Sequence, residues 1–179
     1  MIGAAALVLA LAFGGGDQYL GSLSAHPWAA DVSLLSAPWL VLAFVAGWTQ
    51  RGARRAALLG MACTFAALVG YGLMTLSPVE HAHLTLQSSA AFVRSGVGVF
   101  AGAIVTGPLF GWFGYRWRAG RAWAGASLAA AAVLLEPLAH SAAGRAIRFR
   151  TISVAEIAVG TALAVYVAAA ARRADRIRP

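Results

Sequence analysis

Residues 95–115 read SGVGVFAGAIVTGPLFGWFGY, a stretch without a single charge that is flanked on both sides by arginine. At about 1.5 Å of rise per residue, a helix of this length spans the roughly 30 Å hydrocarbon core of a bilayer. Gly98 and Gly102 are four residues apart, as are Gly107 and Gly111. Such spacing of small residues lets two helices approach closely in lipid. The stretch therefore predicts a transmembrane helix at the centre of a bundle, packed through these four glycines.

The composition of the chain is that of a membrane protein. Hydrophobic residues make up 60% of the 179 residues, charged residues make up 11%, and the mean hydropathy is +0.74. A soluble domain of this length carries a larger polar surface. All 14 basic residues are arginine, and the net charge is +8. Because the arginines lie in short segments between apolar stretches, they fit the positive-inside rule, and we expect no nucleic-acid partner.

The alternation of apolar stretches and short polar loops predicts an all-α polytopic membrane protein of six transmembrane helices in one bundle, a single domain over residues 1–179. Residues 84–93 are too short to cross and are interpreted as interfacial or as an extension of the fourth helix. The first stretch lacks the basic region of a signal peptide, so it is interpreted as a span, although the sequence leaves open whether residues 1–16 are cleaved. The six spans are expected at about 2–23, 32–49, 56–77, 95–115, 122–143 and 151–171.

The distribution of charge predicts the orientation. With six spans, ten arginines and one acidic residue fall on the side that holds both termini, and four arginines and five acidic residues fall on the other. This bias predicts that both termini are cytoplasmic. The chain has no lysine or asparagine and is rich in alanine and glycine, which is typical of a high-GC bacterial genome. We therefore expect a multi-pass protein of a bacterial cytoplasmic membrane, in contact with membrane lipids.

Three carboxylates fall at similar depth, in the outer half of the predicted membrane: Asp17, Glu136 and Glu156. A charge at this depth normally faces a partner or a polar cavity. We therefore expect a polar pocket that opens outward between the first, fifth and sixth helices. Its expected substrate-binding residues are Asp17, Trp39, Glu136, His140, Arg148 and Glu156. The alternative is that these charges form a structural network of ion pairs near the interface.

Several classes of site have no sequence signal. The chain lacks a glycine-rich phosphate loop with lysine, the HExxH and GxSxG motifs, and a pair of aspartate-rich motifs that could hold a diphosphate through magnesium. This excludes ATP-driven transport by the chain alone, and we expect no cofactor. The loop with Glu80, His81 and His83 has no diagnostic metal-ligand spacing, so no metal is expected. Cys63 is the single cysteine, and no internal disulfide is possible.

The order of several short motifs resembles a family of uncharacterised small six-span integral membrane proteins of high-GC Gram-positive bacteria, a domain of unknown function. These motifs are Asp17-Gln18, Ser36-Ala37-Pro38-Trp39, the basic turn 51–55, Gly70-Tyr71, GPLFGWFG at 107–114, Trp117-Arg118 and Glu136. The resemblance covers most of the chain and implies a six-span membrane protein without implying an activity. The matching candidate residues are Asp17, Trp39, Gly107, Pro108, Gly111 and Glu136.

The sequence is compatible with three functions. The first is binding or transport of a small molecule, and in size and span number the chain is similar to the substrate-binding subunits of energy-coupling-factor vitamin transporters, which act with partner subunits. The second is an intramembrane acid-catalysed enzyme, similar to membrane terpene cyclases, in which Glu136 is the candidate catalytic acid. The third is a non-catalytic assembly or interaction protein. Both likenesses are of architecture alone.

Overall fold

The computed structural model describes residues 2–120, 123–142, 144, 147 and 149–176. These residues form eight α-helices and one short 3₁₀ turn, Pro78–Glu80. The all-α prediction is confirmed. The helices are α1 (Ile2–Ser22), α2 (Pro27–Ser33), α3 (Ala37–Trp48), α4 (Ala53–Thr75), α5 (Leu86–Ser95), α6 (Val97–Arg118), α7 (Trp123–Ala142) and α8 (Arg150–Arg176).

Several of these helices are long and apolar enough to cross a membrane. Among the described residues there are four: α4, α6, α7 and the part of α8 from Arg150 to Arg173. The number is five if α2 and α3, which meet at an angle of 47°, are one broken span. The structure therefore supports a multi-pass membrane protein with four to five candidate spans. Six spans in one bundle are not confirmed.

The segment expected to be one helix at 32–49 is broken. The helix α2 ends at Ser33 and α3 begins at Ala37, so the break lies inside the predicted span. Proline occupies the first turn of both helices, where its missing N–H is tolerated, and the residue before a proline disfavours helical backbone. Pro38 therefore starts α3 instead of kinking a continuous helix.

The centre of the bundle consists of small residues. The helix α6 packs against α3, α4 and α7, while α1 packs mainly against α4, and α7 mainly against α8. A Cβ atom at Gly107 would lie 2.9 Å from the Cα atom of Met61, and a Cβ atom at Gly111 would overlap the backbone of Ala56. The backbones of α4 and α6 are therefore in contact at these two glycines, as small residues permit in lipid.

Gly98 and Gly102 do not make such contacts. A Cβ atom at either position would have no neighbouring atom within 4 Å. Their spacing is the same as that of Gly107 and Gly111, but they lie in the half of α6 that diverges from α4. The prediction that all four glycines pack against a neighbouring helix is therefore wrong for Gly98 and Gly102.

The outer surface of the bundle is apolar. Large side chains on it are exposed, for example Val8 at 68%, Val105 at 64% and Val165 at 63%, whereas most buried apolar residues are alanine. This is the reverse of a soluble protein, which does not expose an apolar surface of this extent. The surface is suited to contact with lipid tails.

Candidate functional site

The break between α2 and α3 is closed by a side chain from α7. An α-helix begins with backbone N–H groups that have no partner within the helix. At α3, the Ser36 side chain makes no capping hydrogen bond. Instead, the backbone N–H groups of Ser36 and Ala37 donate to the two carboxylate oxygens of Glu136, the second at 2.7 Å. Glu136 thus caps α3 from another helix, where its negative charge also meets the positive end of the helix dipole.

Two other side chains adjoin this cap. The Nε2 atom of His140, one turn further along α7, lies 3.2 Å from Oε1 of Glu136. Glu156 of α8 is 7% exposed, and its carboxyl group is close enough to that of Glu136 to interact. Neither oxygen of Glu156 has a partner with hydrogen-bond geometry among the described residues. We call Glu136, His140 and Glu156 the cap cluster.

The crossing of α7 and α8 explains why two glutamates meet. A Cβ atom at Gly160 would lie 2.7 Å from the Cα atom of Leu134, so the two backbones touch there. The helices run in opposite directions, and Glu136 and Glu156 lie on the same side of the crossing, toward the end of the bundle that holds the α2–α3 break. At this end Asp31 of α2 also accepts a hydrogen bond of 2.7 Å from the backbone N–H of Phe149, next to the start of α8.

A cavity of about 640 Å³ lies on the other side of the break. It is open on one side and is lined by the last turns of α1, the break itself, the start of α3, the second half of α4, the end of α5 and the first half of α6. These are the parts of each helix furthest from the arginine-rich end of the bundle. Its lining includes Asp17, Ser36, Trp39, Thr64, Tyr71, Thr75, Phe92, Ser95, Phe100, Gly102 and Thr106.

Aromatic rings surround the acidic wall of the cavity. Asp17 is 8% exposed, and its carboxyl group lies beside the indole of Trp39 and within interaction range of Tyr71. The ring centroids of Trp39 and Tyr71 are 6.2 Å apart, and Phe92 of α5 stacks on Tyr71 at 6.3 Å. Phe92 also meets Phe100 edge to face at 6.0 Å. The carboxyl group therefore lies beside the first two of four rings that contact one another in series.

The hydroxyl groups of the cavity bond to their own helices. Thr64 donates to the carbonyl of Gly60, Thr75 to that of Tyr71, and Thr106 to that of Gly102, each at 2.9 Å. Ser33 and Ser95 donate to carbonyls three residues earlier in the same way. A hydroxyl oxygen that has donated its hydrogen keeps two acceptor lone pairs. These side chains therefore present acceptors to the cavity.

The expected single pocket is two separate sites. Asp17 and Trp39 lie in the cavity, whereas Glu136, His140 and Glu156 form the cap cluster and do not line it. The prediction of one pocket between the first, fifth and sixth spans is wrong, because α1 packs on α4 while α7 and α8 pack on each other. Arg148, another of the expected substrate-binding residues, lies outside the described residues.

Sequence reasoning missed Tyr71 and the three threonines of the cavity, although a signal for them exists. Thr64, Leu68, Tyr71 and Thr75 recur at intervals of four, three and four residues, and all four line the cavity. Residues at this spacing share one face of a helix. Val99, Gly102 and Thr106 repeat the pattern on α6. Thr64, Tyr71 and Thr75 thus put polar groups on one face of α4 and Thr106 puts one on α6, which indicates a shared polar space between the two helices.

Among the part of the chain that the structure describes, no three histidine, cysteine, aspartate or glutamate side chains come together to hold a metal ion. Comparison of this chain with protein-family models, with curated proteins and with solved structures finds no match. The resemblance to a six-span family of high-GC Gram-positive bacteria stays a prediction. The site is therefore interpreted from its own geometry.

Proposed function

We propose that this membrane protein binds a small amphipathic molecule in the cavity between α1, α3, α4 and α6. It either holds this molecule at the membrane or transports it across the membrane. The observation that supports the proposal is the cavity itself. Its volume of about 640 Å³ is within the range of small-molecule sites, and its mainly apolar wall with a few polar groups is also typical of them. A cavity of this size between tightly packed helices has no evident packing purpose.

The orientation that accompanies this proposal is six passes with both termini in the cytoplasm. The supporting observation is that the cavity and the break lie at the end of the bundle opposite to the arginine-rich end, which holds Arg51, Arg54, Arg55, Arg118, Arg172 and Arg173. By the positive-inside rule, the cavity then opens toward the outer side of a bacterial cytoplasmic membrane.

Labelling of single cysteines tests this orientation. Cys63 is buried, and replacing it by serine gives a cysteine-free background. In this background, Ser77→Cys places a thiol at the cavity end and Gln50→Cys at the arginine-rich end. We expect a membrane-impermeant maleimide to label Ser77→Cys in intact cells and Gln50→Cys only after lysis. The reverse result would invert the proposed orientation.

Two glycines of α6 form a matched pair for testing the cavity. Gly102 lines the cavity and Gly98 does not, yet a Cβ atom at either position meets no atom within 4 Å. Gly102→Leu should therefore fill the cavity without disturbing helix packing, and Gly98→Leu should leave it open. By native mass spectrometry of protein released from its own membranes, we expect a small-molecule adduct on the wild type and on Gly98→Leu, but not on Gly102→Leu. Equal adducts on all three proteins, or none on the wild type, would contradict the proposal.

The alternative of an enzyme with Glu136 as the catalytic acid has less support. Both oxygens of Glu136 accept hydrogen bonds from the start of α3, and the residue does not line the cavity. A catalytic acid must reach the atom it protonates. The alternative of a non-catalytic assembly or interaction protein, with partner subunits, stays a prediction from the sequence.

A further inference from the structure

We infer that the ligand of the cavity is an organic cation, an amine or a quaternary ammonium compound with apolar substituents, and that Asp17 is its counter-ion. This inference deepens the proposed function and rests on it. Three independent features of the lining lead to it: its charge, the direction of its hydrogen bonds and its aromatic faces.

The first feature is charge. Asp17 is the one charged residue among the described residues that line the cavity, and no arginine or histidine accompanies it there. The residue lies on an apolar helix and is 92% buried. A carboxylate in such a position is costly unless a partner of opposite charge or a wet cavity adjoins it. Because the described residues supply no cation to this wall, a cationic ligand would complete the pair.

The second feature is the surplus of hydrogen-bond acceptors. The hydroxyl groups of Thr64, Thr75 and Thr106 donate to backbone carbonyls and leave their lone pairs toward the cavity. Asp17 adds two carboxyl oxygens. The donors that remain are the Ser36 hydroxyl, and the Trp39 indole N–H and the Tyr71 hydroxyl, which both lie near Asp17. A ligand that donates hydrogen bonds or carries positive charge is complementary to such a wall, whereas an anion such as a phosphate or a carboxylate is not.

The third feature is the arrangement of rings. A cation is attracted to the face of Trp, Tyr or Phe within about 6 Å of the ring centroid. Trp39 and Tyr71, with centroids 6.2 Å apart at an angle of 59° between their planes, can both contact one ammonium group beside Asp17. Phe92 and Phe100 continue the wall and suit an apolar substituent. Charge and rings together distinguish this cavity from a site for a neutral lipid.

A pair of isosteric probes tests the inference. Benzyltrimethylammonium and neopentylbenzene have the same shape and differ by one positive charge. We would titrate each into the full-length protein in detergent by isothermal calorimetry and subtract the signal of Gly102→Leu, which removes partition into micelles. We expect the cation to bind at least tenfold more tightly than the neutral probe. Asp17→Asn should lower the affinity for the cation at least tenfold and leave that for the neutral probe within twofold.

The other possible results contradict either the cation inference alone or the proposed function as well. If both probes bind equally and Asp17→Asn changes neither affinity, the cavity is a ligand site but the cation inference is wrong. If neither probe binds the wild type more than Gly102→Leu, the proposed function fails with the inference. If Asp17→Asn does not fold, Tyr71→Leu replaces it, since loss of the ring should weaken binding of the cation several-fold more than that of the neutral probe. Equal losses for the two probes would then refute the inference.

Discussion

Glu136→Gln should destabilise the protein far more than Glu156→Gln, although both glutamates are 7% exposed and lie in the same cluster. Glu136 accepts hydrogen bonds from two backbone N–H groups at the start of α3, whereas Glu156 accepts none with good geometry from the described residues. Glutamine has the shape of glutamate but offers one oxygen in place of two. One N–H group of α3 therefore loses its acceptor in Glu136→Gln.

The magnitude follows from the cost of an unpaired buried donor. Leaving one such N–H group without a partner costs about 1–3 kcal/mol, and hydrogen bonds to a charged group are at the upper end of the usual range. We therefore expect a loss of about 1–3 kcal/mol in the free energy of unfolding for Glu136→Gln. For Glu136→Ala, which removes both acceptors, about 2–6 kcal/mol is expected. Glu156→Gln should leave the stability unchanged or raise it, because it removes the repulsion between two adjacent carboxyl groups and breaks no hydrogen bond of good geometry among the described residues.

The assay is unfolding in mixed micelles with rising content of a denaturing detergent, followed by circular dichroism. Amide hydrogen exchange of Ser36 and Ala37 gives a local readout, since at least one of the two groups should exchange faster in Glu136→Gln, and both should exchange as in the wild type in Glu156→Gln. An equal or greater loss of stability in Glu156→Gln, or unchanged exchange at the start of α3 in Glu136→Gln, would refute the capping argument.

Four further substitutions give expectations of different size. Gly111→Ala should destabilise the bundle by about 1–3 kcal/mol, because its methyl group would overlap the backbone of α4. Gly98→Ala should stabilise α6 by up to about 1 kcal/mol. Detergent unfolding compares the two variants, and equal effects would contradict the packing described. Asp31→Ala should lower the free energy of unfolding by about 1–3 kcal/mol and speed amide exchange at Phe149, whose N–H loses a buried acceptor. Unchanged exchange at Phe149 would count against this hydrogen bond. Arg118→Gln removes two hydrogen bonds of 3.2 Å to carbonyls at the end of α3, but the side chain is exposed. The free energy of unfolding should therefore fall by less than about 1 kcal/mol in the same assay. A larger fall would show that this contact matters more than its exposure indicates.

The long helices could be predicted from the sequence because their signal is local. A run without charge, bounded by arginine or a polar loop, sets the length of a span without reference to any other segment. The expected span 56–77 is α4 (Ala53–Thr75), and the expected span 95–115 is α6 (Val97–Arg118), each within a few residues. The presence of several such runs was sufficient to predict an all-α membrane protein.

The packing of these helices could not be predicted, because small residues mark where a close contact is possible and not where it occurs. Gly98 and Gly102 carry the same spacing as Gly107 and Gly111, but only the second pair contacts α4. Which half of α6 approaches a neighbour depends on the tilt of the two helices. This tilt is set by contacts between residues far apart in the sequence.

The division of the acidic residues between two sites also depends on distant contacts. Asp17, Glu136 and Glu156 are expected at similar depth from the sequence, and depth alone predicts a shared pocket. The structure separates them because the break between α2 and α3 lies between Asp17 and the two glutamates, with Ser36 in contact with both sites. The partner of that break is one hundred residues away in the sequence. No local sequence pattern predicts this contact.

The distance along the chain between the break and its cap has a consequence for biogenesis. Helices of a membrane protein leave the ribosome in sequence, and the N-terminal part folds first. The N–H groups of Ser36 and Ala37 are made 100 and 99 residues before Glu136. Throughout that interval α3 has no carboxylate at its start, so its first turn has to stay hydrated or in contact with the insertion machinery. Arrival of α7 then locks α3 in place, and the cavity beside the break takes its final shape only after α7 has been inserted.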